Sequence, residues 1–138
     1  MARIIQQPND ILNVLGASYF FRGFDEEILK KLAQGTRLVA FDESEALFFE
    51  GEACSGLYIL HTGIVKLFKI STSGREFILR VLEAGASFNE VPVFDGGLNP
   101  VNATSLEASQ VWIVDKKVIQ SVLSEHPDLY PAIIQRLA

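Results

Sequence analysis

The chain has 138 residues, 49% hydrophobic and 21% charged, with a formal net charge of −5. That length and balance suit one folded domain around one hydrophobic core and exclude a disordered chain. The acidic charge gives these residues no electrostatic footprint for nucleic acid, and a single cysteine, Cys54, excludes an intrachain disulfide and a cluster needing several thiolates from one chain.

The opening stretch, MARIIQQPNDILNVLG, carries one arginine and no long apolar core, so it does not read as a signal peptide. No run of about 18 apolar residues follows. The expectation is a soluble, cytoplasmic, single-domain chain. DEEILKKLAQG predicts a short helix, with Asp25 as cap, Ile28, Leu29 and Leu32 on one face, and Gly35 as a stop. Then the period changes. TRLVAF, ALFFE, GLYILHT, GIVKLFKI, EFILRVL, NATSLEA and QVWIVD are short segments rich in Val, Ile, Leu and Phe, separated by turn signals such as DESE, GEACSG, STSGR and FDGGLNP. Their spacing predicts a compact all-β roll or barrel. Past Asp115 the helical period returns: KKVIQSVLSEH puts Val118, Ile119, Val122 and Leu123 on one face. A last helix is expected near Pro127, with Asp128 as cap and Pro131 confined to the first turn. Its apolar residues Tyr130, Ile133, Ile134 and Leu137 recur at three- and four-residue steps. By pattern alone this helix either packs on its own domain or is the start of an interaction helix.

A helix, then LFFEGE (47–52), LYILHTGIVKL (57–67) and LRVLEAGASFNE (79–90), then a closing helix pair, occur in this order. Over roughly residues 18–138 the arrangement resembles the effector-binding domain of the Crp/Fnr bacterial transcription regulators. Gly51, Gly63 and Gly85 stand where that family needs tight turns, which glycine makes without a Cβ penalty at positive φ. The resemblance implies a mainly β fold with flanking helices: a cyclic-nucleotide-binding-type β-roll (double-stranded β-helix or jelly roll) with N-terminal helices over 1–126, then the start of a dimerisation helix over 127–138. Tyr130, Ile133, Ile134 and Leu137 are its candidate dimer seam. The family's helix-turn-helix DNA-binding domain would follow and is absent from this chain. A small-molecule effector, a homodimer of the full-length protein, DNA contact only through that further domain, no membrane and no enzymatic activity are implied with it.

In cyclic-AMP-binding members of the family, a phosphate-binding cassette reads approximately Phe-Gly-Glu-Leu-Ala, a short helix and loop, then Arg-(Ser/Ala/Thr)-Ala. The Glu holds a ribose hydroxyl and the Arg pairs with the cyclic phosphate. Here FNEVPVFDGGLNPVNATS matches at Phe88 and Glu90, while Asn89 replaces the glycine and Pro92 interrupts the run where the short helix would start. Ala103 and Thr104 match the end of the motif. Val101 falls where the arginine would be, or Asn102 if the register slips by one. Neither is a cation. A buried phosphate needs its charge met, and valine and asparagine cannot replace the two parallel charge-assisted bonds of a guanidinium. At roughly 1.5–3 kcal/mol for each such bond, the loss weakens binding by about two orders of magnitude or more.

The sequence therefore predicts an effector site at Phe88, Asn89, Glu90, Val91, Pro92, Val101, Asn102, Ala103 and Thr104 that does not take a cyclic nucleotide. Asn102 and Thr104 are its candidate donors and Glu90 its acceptor. An expected lining of Phe77, Leu79, Val81, Phe88, Val91 and Val93 suits an apolar ligand. Arg75, Arg80, Lys66 and Lys69 are the cations that could stand in for the arginine, with Arg75 in a hairpin turn.

Effector and cofactor stay unassigned. Members of the family with degenerate cassettes sense gases, 2-oxoglutarate or halogenated phenols. Haem would need an axial donor from His61 (read as a turn residue), His126, Cys54 or Met1. A cupin-type metal enzyme would need two or three histidines and a carboxylate converging, whereas the two histidines here stand 65 positions apart. No Ser-His-Asp or Cys-His arrangement is evident. The remaining alternative is a stand-alone interaction module with a vestigial or nucleotide-binding pocket.

Overall fold

A computed structural model describes residues 1–5 and 10–138. Two antiparallel sheets form the roll. The first has the order β1 (Arg3–Ile5), β2 (Thr36–Phe41), β9 (Ser109–Asp115), β4 (Gly56–Thr62) and β7 (Ser87–Phe88). The second runs β3 (Ala46–Phe48), β8 (Asn102–Ser105), β5 (Val65–Ile70) and β6 (Glu76–Leu82). The expected mainly β roll is what the chain forms. The strand-rich segments lie where the alternation of apolar runs and turn signals put them. β1 has no counterpart in the sequence reading, and helix α1 (Ile11–Ala17) is covered only by the N-terminal helices that the resemblance implies, since three residues and a seven-residue helix are too short to carry a period.

The first sheet is buried on both faces because side chains alternate along a strand. Val39, Phe41, Tyr58, Leu60, Val111 and Ile113 point into the roll and meet Phe48, Val65, Leu67, Leu82 and Ala103 of the second sheet. Leu38, Leu57, Ile59, Trp112 and Val114 point the other way, under a helical layer. That layer consists of α1, α2 (Glu26–Gln34), α4 (Lys116–Glu125) and α5 (Tyr130–Leu137). Ile28, Leu29 and Leu32 of α2, and Ile119, Val122 and Leu123 of α4, are the buried faces read from the sequence. Asp115 caps α4, accepting from the backbone N–H of Lys117 (2.8 Å) and Val118 (3.3 Å). Asp25 occupies the cap position of α2 without a side-chain cap bond.

The end of the chain differs in detail from expectation. Residues Pro127–Leu129 form a single 3-10 turn, and Asp128 sits inside it instead of capping a helix. α5 begins at Tyr130, with Pro131 in its first turn, where the missing N–H costs nothing. Ile133 is 2% exposed in the helical core and Leu137 packs against it, whereas Tyr130 (43%) and Ile134 (65%) face outward. The four-residue seam is thus divided between the domain's own core and its surface. The Arg136 guanidinium secures the helix by donating to the Phe20 carbonyl at 2.8 Å.

Gly51, Gly63 and Gly85 all have positive φ, at 84°, 103° and 95°. At Gly63 a Cβ would also run into Ser109. Among the described residues no helix is long and apolar enough to cross a membrane.

Candidate functional site

β7 pairs with β4, Tyr58 opposite Phe88, and so sets Phe88 in the roll interior against the rings of Tyr58 (5.3 Å) and Phe48 (6.2 Å). The next residue, Asn89, turns the chain with φ 61°. Asparagine is among the few non-glycine residues that tolerate this region, which explains how it replaces the family's glycine. Its Nδ2 donates to Asn99 Oδ1 (3.1 Å) and to the Gly56 carbonyl (3.4 Å). Asn99 Nδ2 in turn donates to the Phe49 carbonyl at 3.1 Å. These bonds fix the start of the stretch against β4 and its end against the loop after β3.

Glu90 leads into α3 (Val91–Asp95), with Pro92 in the first turn and Gly96 closing the helix at φ 75°. The expectation that Pro92 interrupts the short helix is corrected: an N–H in the first turn has no intrahelical partner to lose. Val93 is fully buried in the helical core, and Gln120 of α4 donates from Nε2 to its carbonyl at 3.2 Å. α3 is therefore tied directly to α4.

A cavity of about 210 Å³ opens between α3, the segment before β8, and the edge of the second sheet. Its walls are Phe48, Leu67, Leu79, Phe88 and Pro100, with Val91, Pro92 and Val101 from the stretch itself. Its polar groups are Arg80, Asn89 and Glu90. Arg80 faces it by strand alternation, opposite Leu67 and two residues before the buried Leu82, and a β-bulge adds Leu79 beside it. Leu67 pairs with Arg80 but Phe68 pairs with Ile78, so Leu79 is the extra residue and both Leu79 and Arg80 reach the cavity. Sequence reasoning had Arg80 only as one of four cations, and bulges leave no periodic signal.

Six of the nine predicted site residues line this cavity: Phe88, Asn89, Glu90, Val91, Pro92 and Val101. The other three serve the roll. Asn102 is buried, accepting at Oδ1 from the Glu50 N–H (2.9 Å) and donating from Nδ2 to the Phe68 carbonyl (3.4 Å), so its amide is occupied within the chain. Ala103 is fully buried between the sheets. Thr104 is ladder-paired to Ala46 and Lys66, outside the cavity. Of the expected apolar lining, Leu79, Phe88 and Val91 take part. Phe77 and Val81 stay on the exposed surface of β6, and Val93 belongs to the core beneath.

Two acceptors of residues that line the cavity, Asn89 Oδ1 and Glu90 Oε2, are enclosed in the protein without a hydrogen-bond partner. Burial pushes the Glu90 carboxyl above its ordinary range, and a hydrogen bond from its own backbone N–H and then the positive charge of Arg80 pull it back only in part. Among the described residues no ion pair engages Arg80, whereas Lys66 pairs with Glu76 (2.9 Å) and Lys69 with Glu50 (3.8 Å), and Arg75 lies over the Phe77 ring. The four candidate axial donors do not meet here. His61 lies within β4, not at a turn, edge-on to Trp112 at 5.5 Å and beside a separate cavity of about 220 Å³. Cys54 is buried near Asn89, His126 ends α4, and Met1 is exposed.

A family model described as the cyclic nucleotide-binding domain matches residues 38–126. The chain belongs to the cyclic nucleotide-binding domain family. Among relatives of this family, a CRP-like cAMP-activated global transcriptional regulator of Mycobacterium tuberculosis is 26% identical over 125 residues, which are 91% of this chain and 56% of the relative. The chain thus spans about half the length of that regulator. The sensor domain of the transcriptional regulator DNR from Pseudomonas aeruginosa superposes with a TM-score of 0.82 at 25% identity, over 91% of this chain and 84% of that one. The N-terminal domain of a Streptomyces coelicolor transcriptional regulator does so with a TM-score of 0.75 at 27% identity, over 90% and 87%. These likenesses carry the resemblance to Crp/Fnr-type sensor domains.

Proposed function

We propose that this chain is the effector-sensing domain of a Crp/Fnr-type transcription regulator, acting in the cytoplasm, and that its pocket takes a small molecule other than a cyclic nucleotide. The observation that carries the reading is the inversion of polarity in the cassette. Val101 stands where a phosphate-binding arginine belongs, and Glu90 is the acidic residue among those lining the same space. A cyclic phosphate there meets the Glu90 carboxyl and finds no guanidinium from the cassette to pair with. The residues do not fit a haem in this pocket, since none of His61, His126, Cys54 and Met1 lines it. The role is binding, not catalysis.

Signalling follows from the attachment of α3 to α4. A ligand that favours one position of α3 shifts α4 through the Gln120–Val93 bond, and with it the closing turn and α5. Only a ligand with different affinities for the two arrangements does this. Tyr130 and Ile134, the exposed half of the seam, are the residues available to a second copy, and DNA is reached through a further domain.

The test is calorimetric titration of the domain with cyclic AMP and cyclic GMP, for which no heat is expected at millimolar ligand. A second reading rests on one observation, the guanidinium of Arg80 at the pocket wall. If Arg80 substitutes for the cassette arginine, cyclic AMP binds in the micromolar range and Arg80→Met abolishes it.

A further inference from the structure

β4 carries a side chain that the cavity beside β6 does not use. Leu60 pairs with Val111 and Thr62 with Gln110, so His61 is the extra residue of a β-bulge. Bulges re-aim a side chain and are frequent beside functional sites. Here the imidazole lies edge-on to Trp112 at 5.5 Å, on the side of the first sheet that the helices cover. It borders the cavity of about 220 Å³, together with Val14, Ala17, Ser18, Ile59 and Trp112. This cavity shares no lining residue with the one beside β6.

Its chemistry is simple. No carboxylate, lysine or arginine lines it. The Ser18 hydroxyl is buried and donates its proton to the Leu15 carbonyl at 2.7 Å, and Trp112 Nε1 is enclosed in the protein. His61 differs from both. It is half-buried, neither ring nitrogen is enclosed, and among the described residues neither has a hydrogen-bond partner. A neutral imidazole offers one donor and one acceptor, which a hydroxyl can answer with either of its own. A carboxylate here would lose water without gaining a cation, and an ammonium without gaining an anion. The rest of the wall is apolar. A cavity of about 150 Å³ already admits benzene, so this one has room for a six-membered ring with a short substituent.

We propose that this is a second small-molecule site, for an uncharged alcohol with an apolar body about one ring in size: the hydroxyl exchanges a hydrogen bond with the His61 imidazole, and the body packs on Val14, Ala17, Ile59 and Trp112. It is independent of what the cavity beside β6 takes.

Trp112 is the only tryptophan of the chain, so its fluorescence reports on this cavity. The experiment titrates the chain with cyclohexanol and benzyl alcohol, and with toluene, benzoate and benzylamine for comparison. Benzyl alcohol is expected to give a saturable change at millimolar concentration, and the two charged analogues to bind tenfold or more weakly. His61→Leu should weaken benzyl alcohol about fivefold while leaving toluene no weaker, because only the alcohol loses a hydrogen bond. Ala17→Phe, at an exposed position of the rim, should remove the response to both. No saturable change with either alcohol overturns the site. An equal effect of His61→Leu on alcohol and toluene, or benzoate or benzylamine binding as tightly as benzyl alcohol, overturns the assigned ligand class. Binding undiminished in Ala17→Phe places the ligand elsewhere and overturns the proposal as well.

Discussion

β9 and β6 are both seven residues long and almost equally apolar, QVWIVD after one serine against EFILRVL. In β9, Val111, Trp112, Ile113 and Val114 are at most 3% exposed; in β6, Phe77, Ile78, Leu79 and Val81 are 50–55% exposed. The difference is one of position in the sheet. β9 lies between β2 and β4 with the roll on one face and helices on the other, while β6 is the outer strand of the second sheet, with no strand beyond it among the described residues. Stability is concentrated in β9 and its neighbours. The cavity opens beside β6, where Arg80 faces it by alternation and the bulge adds Leu79. An apolar edge strand is a liability unless something covers it, and part of β6, at Leu79 and Arg80, lines the cavity.

Removing the largest side chain of the buried strand should break the comparison most severely. Trp112→Ala is expected to cost about 3–5 kcal/mol in chemical denaturation, because Trp112 is fully buried beneath the helices. Asn102→Ala comes next, at about 1–3 kcal/mol, since it strands the Glu50 N–H and the Phe68 carbonyl. It should leave ligand affinity unchanged, because the side chain is outside the cavity; a selective loss of binding would move Asn102 back into the site. Glu90→Gln sharpens the picture through pH. The Glu90 carboxyl is raised by burial, so in the folded chain it keeps its proton after the unfolded chain has lost it. Its contribution to stability is intact below the ordinary glutamate range and falls as pH rises through the raised value. Denaturation of wild type and variant across that range should show the variant gaining relative stability towards neutral pH. The smallest effect belongs to the edge: Phe77→Ser should change stability by no more than about 0.5 kcal/mol, and a larger loss would mean that the outer surface of β6 is covered in solution.

The sequence made the roll legible because its signals are local. Apolar runs between turn residues give the strands, and Gly51, Gly63 and Gly85 give corners that require positive φ. The first half of the cavity lining was legible for the same reason, since Phe88 to Pro92 are consecutive and line it together. The second half was not. Val101 lines the cavity but Asn102, Ala103 and Thr104 are claimed by the strand they form, which a motif match cannot reveal. Arg80, Phe48, Leu67 and Pro100 arrive from distant segments through sheet pairing and a bulge. The closing helix was ambiguous because its apolar residues serve two surfaces at once, with Ile133 inward and Ile134 outward.

The central claim is that the pocket has lost its anion chemistry at Val101. Calorimetric titration of cyclic AMP into the wild-type chain and into Val101→Arg, side by side, tests it most directly. The account predicts no heat for the wild type and measurable binding once the guanidinium is restored opposite Glu90. Micromolar binding by the wild type, unimproved in Val101→Arg, would contradict it.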